Sequence, residues 1–133
     1  MVQGLDRLKA KLGRAGVGLR EAVGESMAEG GDRVLATAKL LVPKESGRLA
    51  GTLRRTGVEP TKRGNLRVSI IAGDESTLVA HGKVQLAKAV EFGTTRTPAQ
   101  PYLGPALRLN KRSIVAEIRK SMRTAIKKAN GAT

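Results

Sequence analysis

The chain has 133 residues, a length suited to one domain with a modest buried core. It contains no cysteine and no tryptophan, one tyrosine and one phenylalanine, which excludes disulfides, thiolate metal sites and a cysteine nucleophile and leaves the core to aliphatic side chains. The net charge is +14 and is concentrated late: residues 1–45 carry 8 basic and 6 acidic groups, residues 46–95 carry 8 and 4, and residues 96–133 carry 9 and 1, a bias that favours polyanions or acidic protein partners.

No apolar run approaches the length of a membrane span, and the N-terminus has no apolar signal-peptide core, so a protein that is cytosolic when made is expected. Leu5, Leu8 and Leu12 predict a short helix over residues 2–12. Gly13, Gly16 and Gly18 then predict a break, which makes residues 1–18 a candidate flexible arm. From Leu19 to Leu41 the apolar residues Leu19, Val23, Met27, Val34, Ala38 and Leu41 fall on one helical face. Gly30 and Gly31 interrupt it, either as a kink or as a site of close approach. Pro43 ends it, because a residue before proline avoids helical angles. Ser46 is the expected N-cap of a turn through Gly47–Leu53.

The texture then changes. Thr56–Pro60 and Leu66–Ala72 read as strands joined by a turn at Thr61–Asn65. Gly73–Gly82 reads as a polar loop, and Val84–Phe92 as a helical start that passes into a strand by Ala89–Phe92. Gly93–Pro105 is a loop stiffened by Pro98, Pro101 and Pro105. A second long helix is predicted from Pro105 to Ala129, with proline suited to its first turn, and residues 130–133 as a frayed tail. Leu107, Ile114, Ile118, Met122 and Ala125 form its apolar stripe; Arg108, Arg112, Arg119, Arg123 and Lys127 form a basic one. With no internal repeat and no linker, the whole chain 1–133 is expected to be a single α+β domain. A long N-terminal helix and a C-terminal helix would pack on a small, mainly antiparallel sheet of three or four strands.

Nothing in the sequence assembles a catalytic constellation. The single histidine, His81, falls in a predicted loop, and a zinc site would need several clustered carboxylates beside it. Asp74 and Glu75 are neighbours in a loop, where such residues more often meet solvent than perform acid–base work. Gly13–Gly18 does not match the G-x-G-x-x-G spacing, and no strand precedes it. No cofactor, metal or catalytic residue is expected, and the chain is read as a non-enzyme. The basic stripe of the last helix could track phosphates, or it could be a solvated face or a dock for an acidic neighbour. Stacking aromatics, helix-turn-helix and zinc-finger signatures are all missing.

Two segments carry a recognisable pattern. Val42–Pro43–Lys44–Glu45–Ser46–Gly47–Arg48–Leu49 resembles a signature that follows the long first helix in a family of phage neck proteins. Ala89–Val90–Glu91–Phe92–Gly93–Thr94, followed by Pro98–Ala99–Gln100–Pro101–Tyr102–Leu103–Gly104–Pro105–Ala106, resembles a second signature of the same family. This is the tail-component family of long-tailed bacteriophages, whose members are described as head–tail joining, neck or tail-completion proteins. Members carry aromatics where this chain has Leu86–Ala89, and often Phe in place of Tyr102. The resemblance spans residues 19–128 in order and spacing. It implies a structural virion protein of the head–tail junction. Such a protein would form a homo-oligomeric ring, hexamer-like first and dodecamer second, in contact with other neck and tail-tube or head-connector proteins. Double-stranded DNA would pass through the ring non-specifically. Glu91, Phe92, Pro98, Pro101, Tyr102 and Leu103 are then candidates for a subunit interface or, equally, for an internal clasp that seats the last helix. Arg108, Arg112, Arg119, Arg123 and Lys127 are candidates for a DNA-channel or acidic-partner face. The rival expectation is a free basic nucleic-acid-binding protein of nucleoid-associated type.

Overall fold

The computed structural model describes residues 2–44, 47–79 and 84–131. In chain order the elements are α1 (Val2–Leu41), α2 (Gly47–Thr52), β1 (Arg54–Arg55), β2 (Glu59–Pro60), β3 (Leu66–Arg67) and β4 (Ile70–Ile71). A 3-10 turn (Glu75–Thr77), β5 (Leu78–Val79), β6 (Val84–Gln85), α3 (Leu86–Phe92) and α4 (Leu103–Gly131) follow. The fold is α+β: α1 and α4 lie against each other along much of their length, and the small antiparallel strands and short helices gather at their side and end.

Helix α1 runs unbroken through Gly13, Gly16 and Gly18, where the sequence predicts a break. Each glycine costs a helix only about 1 kcal/mol relative to alanine, and the surrounding Leu, Lys, Arg and Ala are good helix formers. Gly16 and Gly18 have open space where a Cβ would stand. Gly16→Ala is therefore expected to stabilise the protein by up to about 1 kcal/mol in urea unfolding.

Gly30 and Gly31 answer to a different constraint. A Cβ on Gly30 would lie 2.9 Å from Cγ2 of Ile114 on α4, and one on Gly31 would lie 2.7 Å from Cδ of Arg55 and 2.8 Å from Cγ1 of Val68. The pair lets α1 approach α4 on one side and the strands on another, within one unbroken helix. Gly30→Ala should destabilise, because overpacking of about 1–3 kcal/mol outweighs the helix-propensity gain. An alanine variant as stable as the parent would show that Ile114 yields freely.

The expected hairpin is present, with Thr61–Asn65 as its turn: the Thr61 N–H donates to Asn65 O (2.7 Å) and the Gly64 N–H to Thr61 O (3.0 Å). Its register slips once. Arg54 and Arg55 face Ile71 and Ile70, whereas Glu59 and Pro60 face Arg67 and Leu66. The Thr56 N–H still donates to Ser69 O (2.9 Å), so Gly57 and Val58 together stand opposite Val68. This extra residue is a β-bulge, and it divides the hairpin into two short ladders. A third ladder pairs Leu78–Val79 with Val84–Gln85. The strands thus pair two by two rather than as one sheet of three or four.

Two further expectations are corrected. Gly73–Gly82 is not all loop: Asp74 caps the 3-10 turn, its Oδ1 accepting from the Ser76 N–H (2.8 Å), while Thr77 Oγ1 accepts from the Asp74 N–H (3.0 Å). In Val84–Phe92 the order is reversed, strand first and helix second, with the Gln85 side chain capping α3 at the Ala87 N–H. Ser46 and His81 lie outside the described residues. α4 begins at Leu103, two residues before the predicted start, and extends to Gly131.

The buried cluster is Val34, Ala38, Val42, Leu49, Leu53, Ala87, Tyr102 and Ala106. It sits where the C-terminal end of α1, the short helices and the first turn of α4 converge. Along α4, Ile114, Ile118, Met122 and Ala125 are half-buried as predicted, but Leu107 is mostly exposed. Asn110 and Thr37 (2.9 Å) and the ion pair Arg33–Glu117 (2.5 Å) complete the contact between the long helices.

Candidate functional site

The first turn of α4 explains the second signature segment. A helix leaves its first four backbone N–H groups without intrahelical acceptors. Here the Tyr102 and Leu103 N–H groups donate to Oε2 of Glu91 (2.7 and 2.8 Å), and the Gly104 N–H donates to Oε1 (2.9 Å). The next residue is Pro105, which has no N–H to satisfy. One carboxylate, delivered from the last turn of α3, therefore caps the whole N-terminus of α4. Its negative charge also faces the positive end of the helix dipole.

Each neighbouring residue has a part in this arrangement. Gly93 adopts φ +77° and a Cβ there would lie 2.8 Å from the Ala99 backbone nitrogen, so the chain can leave α3 and fold straight back. The Gln100 N–H donates to Val90 O (2.8 Å), tying the proline-stiffened loop to α3. Gly104 leaves room for the carboxylate, because a Cβ would come within 3.2 Å of Glu91 Oε1. Tyr102 is fully buried and its hydroxyl donates to Ala87 O (3.0 Å).

Electrostatics follow from this geometry. Burial raises the Glu91 carboxyl, but the Leu103, Tyr102 and Gly104 N–H groups and the Arg108 guanidinium outweigh it and hold the group below its ordinary value. Burial, with the Glu91 charge behind it, pushes the Tyr102 phenol up to about 12.

The six candidate interface residues thus separate. Glu91 and Tyr102 turn inward and form the clasp; Leu103 is half-buried against the core; Phe92, Pro98 and Pro101 remain on the surface, Phe92 at 73 % exposure. The basic stripe stays together: Arg108, Arg112, Arg119, Arg123 and Lys127 are all exposed along α4. An acidic row, to which apolar periodicity is blind, lies on α1. Glu21, Glu25 and Glu29 recur every four residues on α1, all exposed, and Asp32 one turn on pairs with Arg55 (2.6 Å).

An open apolar groove lies between α1, the hairpin turn and α4, with Leu19, Val23, Met27, Leu66 and Met122 among its walls. It offers surface but no reactive group. Among the described residues no three side chains of metal-ligating type come together, and no helix is long and apolar enough to cross a membrane. No family model, curated protein or solved structure matches the chain.

Proposed function

We propose that the chain is a structural, non-enzymatic subunit of the head–tail junction of a tailed bacteriophage or phage-like particle, one copy in a ring that joins head to tail or completes the tail. The observation that carries this reading is the meeting of the two segments through which the sequence resembles the neck family. Val42 and Leu49 of the first segment share one buried cluster with Tyr102 and Ala106 of the second. Residues distant in the chain thus serve a common packing role, as expected of a pattern that marks a fold rather than a reaction. Function then follows from symmetry, since a head-to-tail contact that closes makes a ring. A hexamer-like ring is the first choice and a dodecamer the second. Such a ring would surround double-stranded DNA without reading its sequence and touch other neck, tail-tube or head-connector proteins.

Electron microscopy and native mass measurement test this directly. A ring in the free protein or at the head–tail junction of purified particles is expected, and a single copy in both would overturn the reading. Reversing Arg112 and Arg119 to glutamate should abolish the joining of heads to tails and leave both parts intact. Normal numbers of complete particles would count against a joining role for the stripe.

The exposed basic stripe also supports a second reading, a free nucleic-acid-binding protein. That reading requires duplex DNA binding by the isolated chain with a steep salt dependence, and no association with particles.

A further inference from the structure

The two charged rows on the long helices are the least explained features of the surface. Glu21, Glu25 and Glu29 on α1 are spaced by four residues, as are Arg119, Arg123 and Lys127 on α4. On a helix this spacing places charges about 6 Å apart along one side, so the two rows have the same pitch. All six side chains are exposed, and among the described residues none of them forms an ion pair.

Their placement in the fold is also informative. The hairpin covers one side of the α1–α4 pair, where Val58 approaches Gly24, Val68 approaches Gly31, and Leu66 and Met122 line the same groove. With 3.6 residues per turn, the acidic row of α1 lies off both the face that meets α4 at Gly30, Arg33 and Thr37 and the face that meets the hairpin. The basic row of α4 lies opposite the face that meets α1 at Asn110, Ile114 and Glu117. The two rows therefore point away from each other and do not pair within one copy. A second copy of this chain presents to each row the opposite sign at the same pitch.

We infer that the basic row of α4 docks on the acidic row of α1 in a second copy of the chain. Glu21, Glu25 and Glu29 of one copy face Arg119, Arg123 and Lys127 of the other. Ala28 flanks the acidic row and Ile126 the basic one, Ile126 at 48 % exposure. The contact thus joins charge pairing to a small residue opposed by an apolar one. Because the surfaces are unlike, they can pair reciprocally between two copies or head to tail around a ring. The inference deepens the ring-subunit reading and rests on it only for the closed ring. The net charge of +14 opposes any self-association at low salt. Near 0.1 M salt the Debye length is about 10 Å, which screens the distant charges while paired groups still interact.

The test is a charge-swap mixing experiment at about 0.1 M salt, read by sedimentation or light-scattering mass. One full-length variant carries Glu21→Lys, Glu25→Lys and Glu29→Lys; the other carries Arg119→Glu, Arg123→Glu and Lys127→Glu. Each alone opposes like charges and is expected to self-associate on the order of 100-fold more weakly than the parent. An equimolar mixture restores attraction at every contact and should recover the assembly, which also shows that both variants are folded. A parent chain that stays monomeric under these conditions overturns the inference. So does an assembly insensitive to both triple reversals, or a basic-row variant that loses duplex DNA binding while its self-association is unchanged. The ring reading fails separately: an assembly that obeys the mixing rule but stops at two copies, or is missing from purified particles, keeps the contact and removes the ring.

Discussion

Glu91→Ala is expected to lower the unfolding free energy by about 3 kcal/mol, measured by urea unfolding followed by circular dichroism. A conventional N-cap contributes about 1 kcal/mol, and a hydrogen bond to a charged group about 1.5–3 kcal/mol net. Glu91 accepts three backbone donors at 2.7–2.9 Å. Water can replace it only in part, because the Tyr102 bond is buried and the other two are partly so. Glu91→Gln keeps one good acceptor and turns an amide toward N–H groups, so it should lose about 2 kcal/mol. A loss well under 1 kcal/mol for the alanine variant would mean that α4 is capped in some other way. The same carboxylate fixes a pH dependence. Its folded pKa is depressed, so its contribution is fully present above the unfolded glutamate value of about 4.3 and is lost as pH falls through the folded value. The parent should therefore lose more stability on acidification than Glu91→Gln, and equal acid sensitivity would contradict the depressed pKa.

Glu91 and Phe92 also show where sequence reasoning stops. Hydrophobicity assigns the phenylalanine to the interior and the glutamate to water. The fold does the reverse, with Glu91 at 9 % exposure and Phe92 at 73 %. The inversion arises because α4 needs an acceptor at its N-terminus, and only the arrangement of α3 and α4 in space supplies that need. Reading Ala89–Phe92 as a strand fails for the same reason. The run is short and apolar enough for either state, and the carboxylate reaches α4 from the last turn of a helix.

What periodicity controls was legible. The face of α1 through Val34 and Ala38, its end before Pro43, the hairpin turn at Thr61–Asn65 and the stripe of Arg108 through Lys127 all follow from spacing or from turn chemistry. What depends on a neighbour was not. Gly13, Gly16 and Gly18 look like Gly30 and Gly31 in sequence, yet the first three are carried by their helix-forming neighbours while the last two are packing sites under Ile114, Arg55 and Val68. The acidic row at Glu21, Glu25 and Glu29 was visible as spacing alone. Its relation to the basic row appears only once α1 and α4 are seen side by side.

Tyr102→Ala should be the most damaging single change in the core, with a loss of about 3–5 kcal/mol. Tyr102 is the largest fully buried side chain, and its ring lies in the cluster that gathers Val42 and Leu49 from the first signature segment and Ala106 from the second. In a core this small and otherwise aliphatic, no neighbour is large enough to fill the space. Tyr102→Phe keeps the ring and removes one hydrogen bond, to the Ala87 carbonyl, so about 1 kcal/mol is expected. The chain has no tryptophan and no other tyrosine, so alkaline titration of phenolate absorbance reports on this residue alone. Half-titration is expected at about 12 in the folded protein and at about 10 in urea. Here the neutral form is favoured by folding. The contribution is therefore fully present below the unfolded value and is lost as pH rises toward the folded one. A folded-state titration near the unfolded value would put the phenol in water and remove the clasp that joins the two segments.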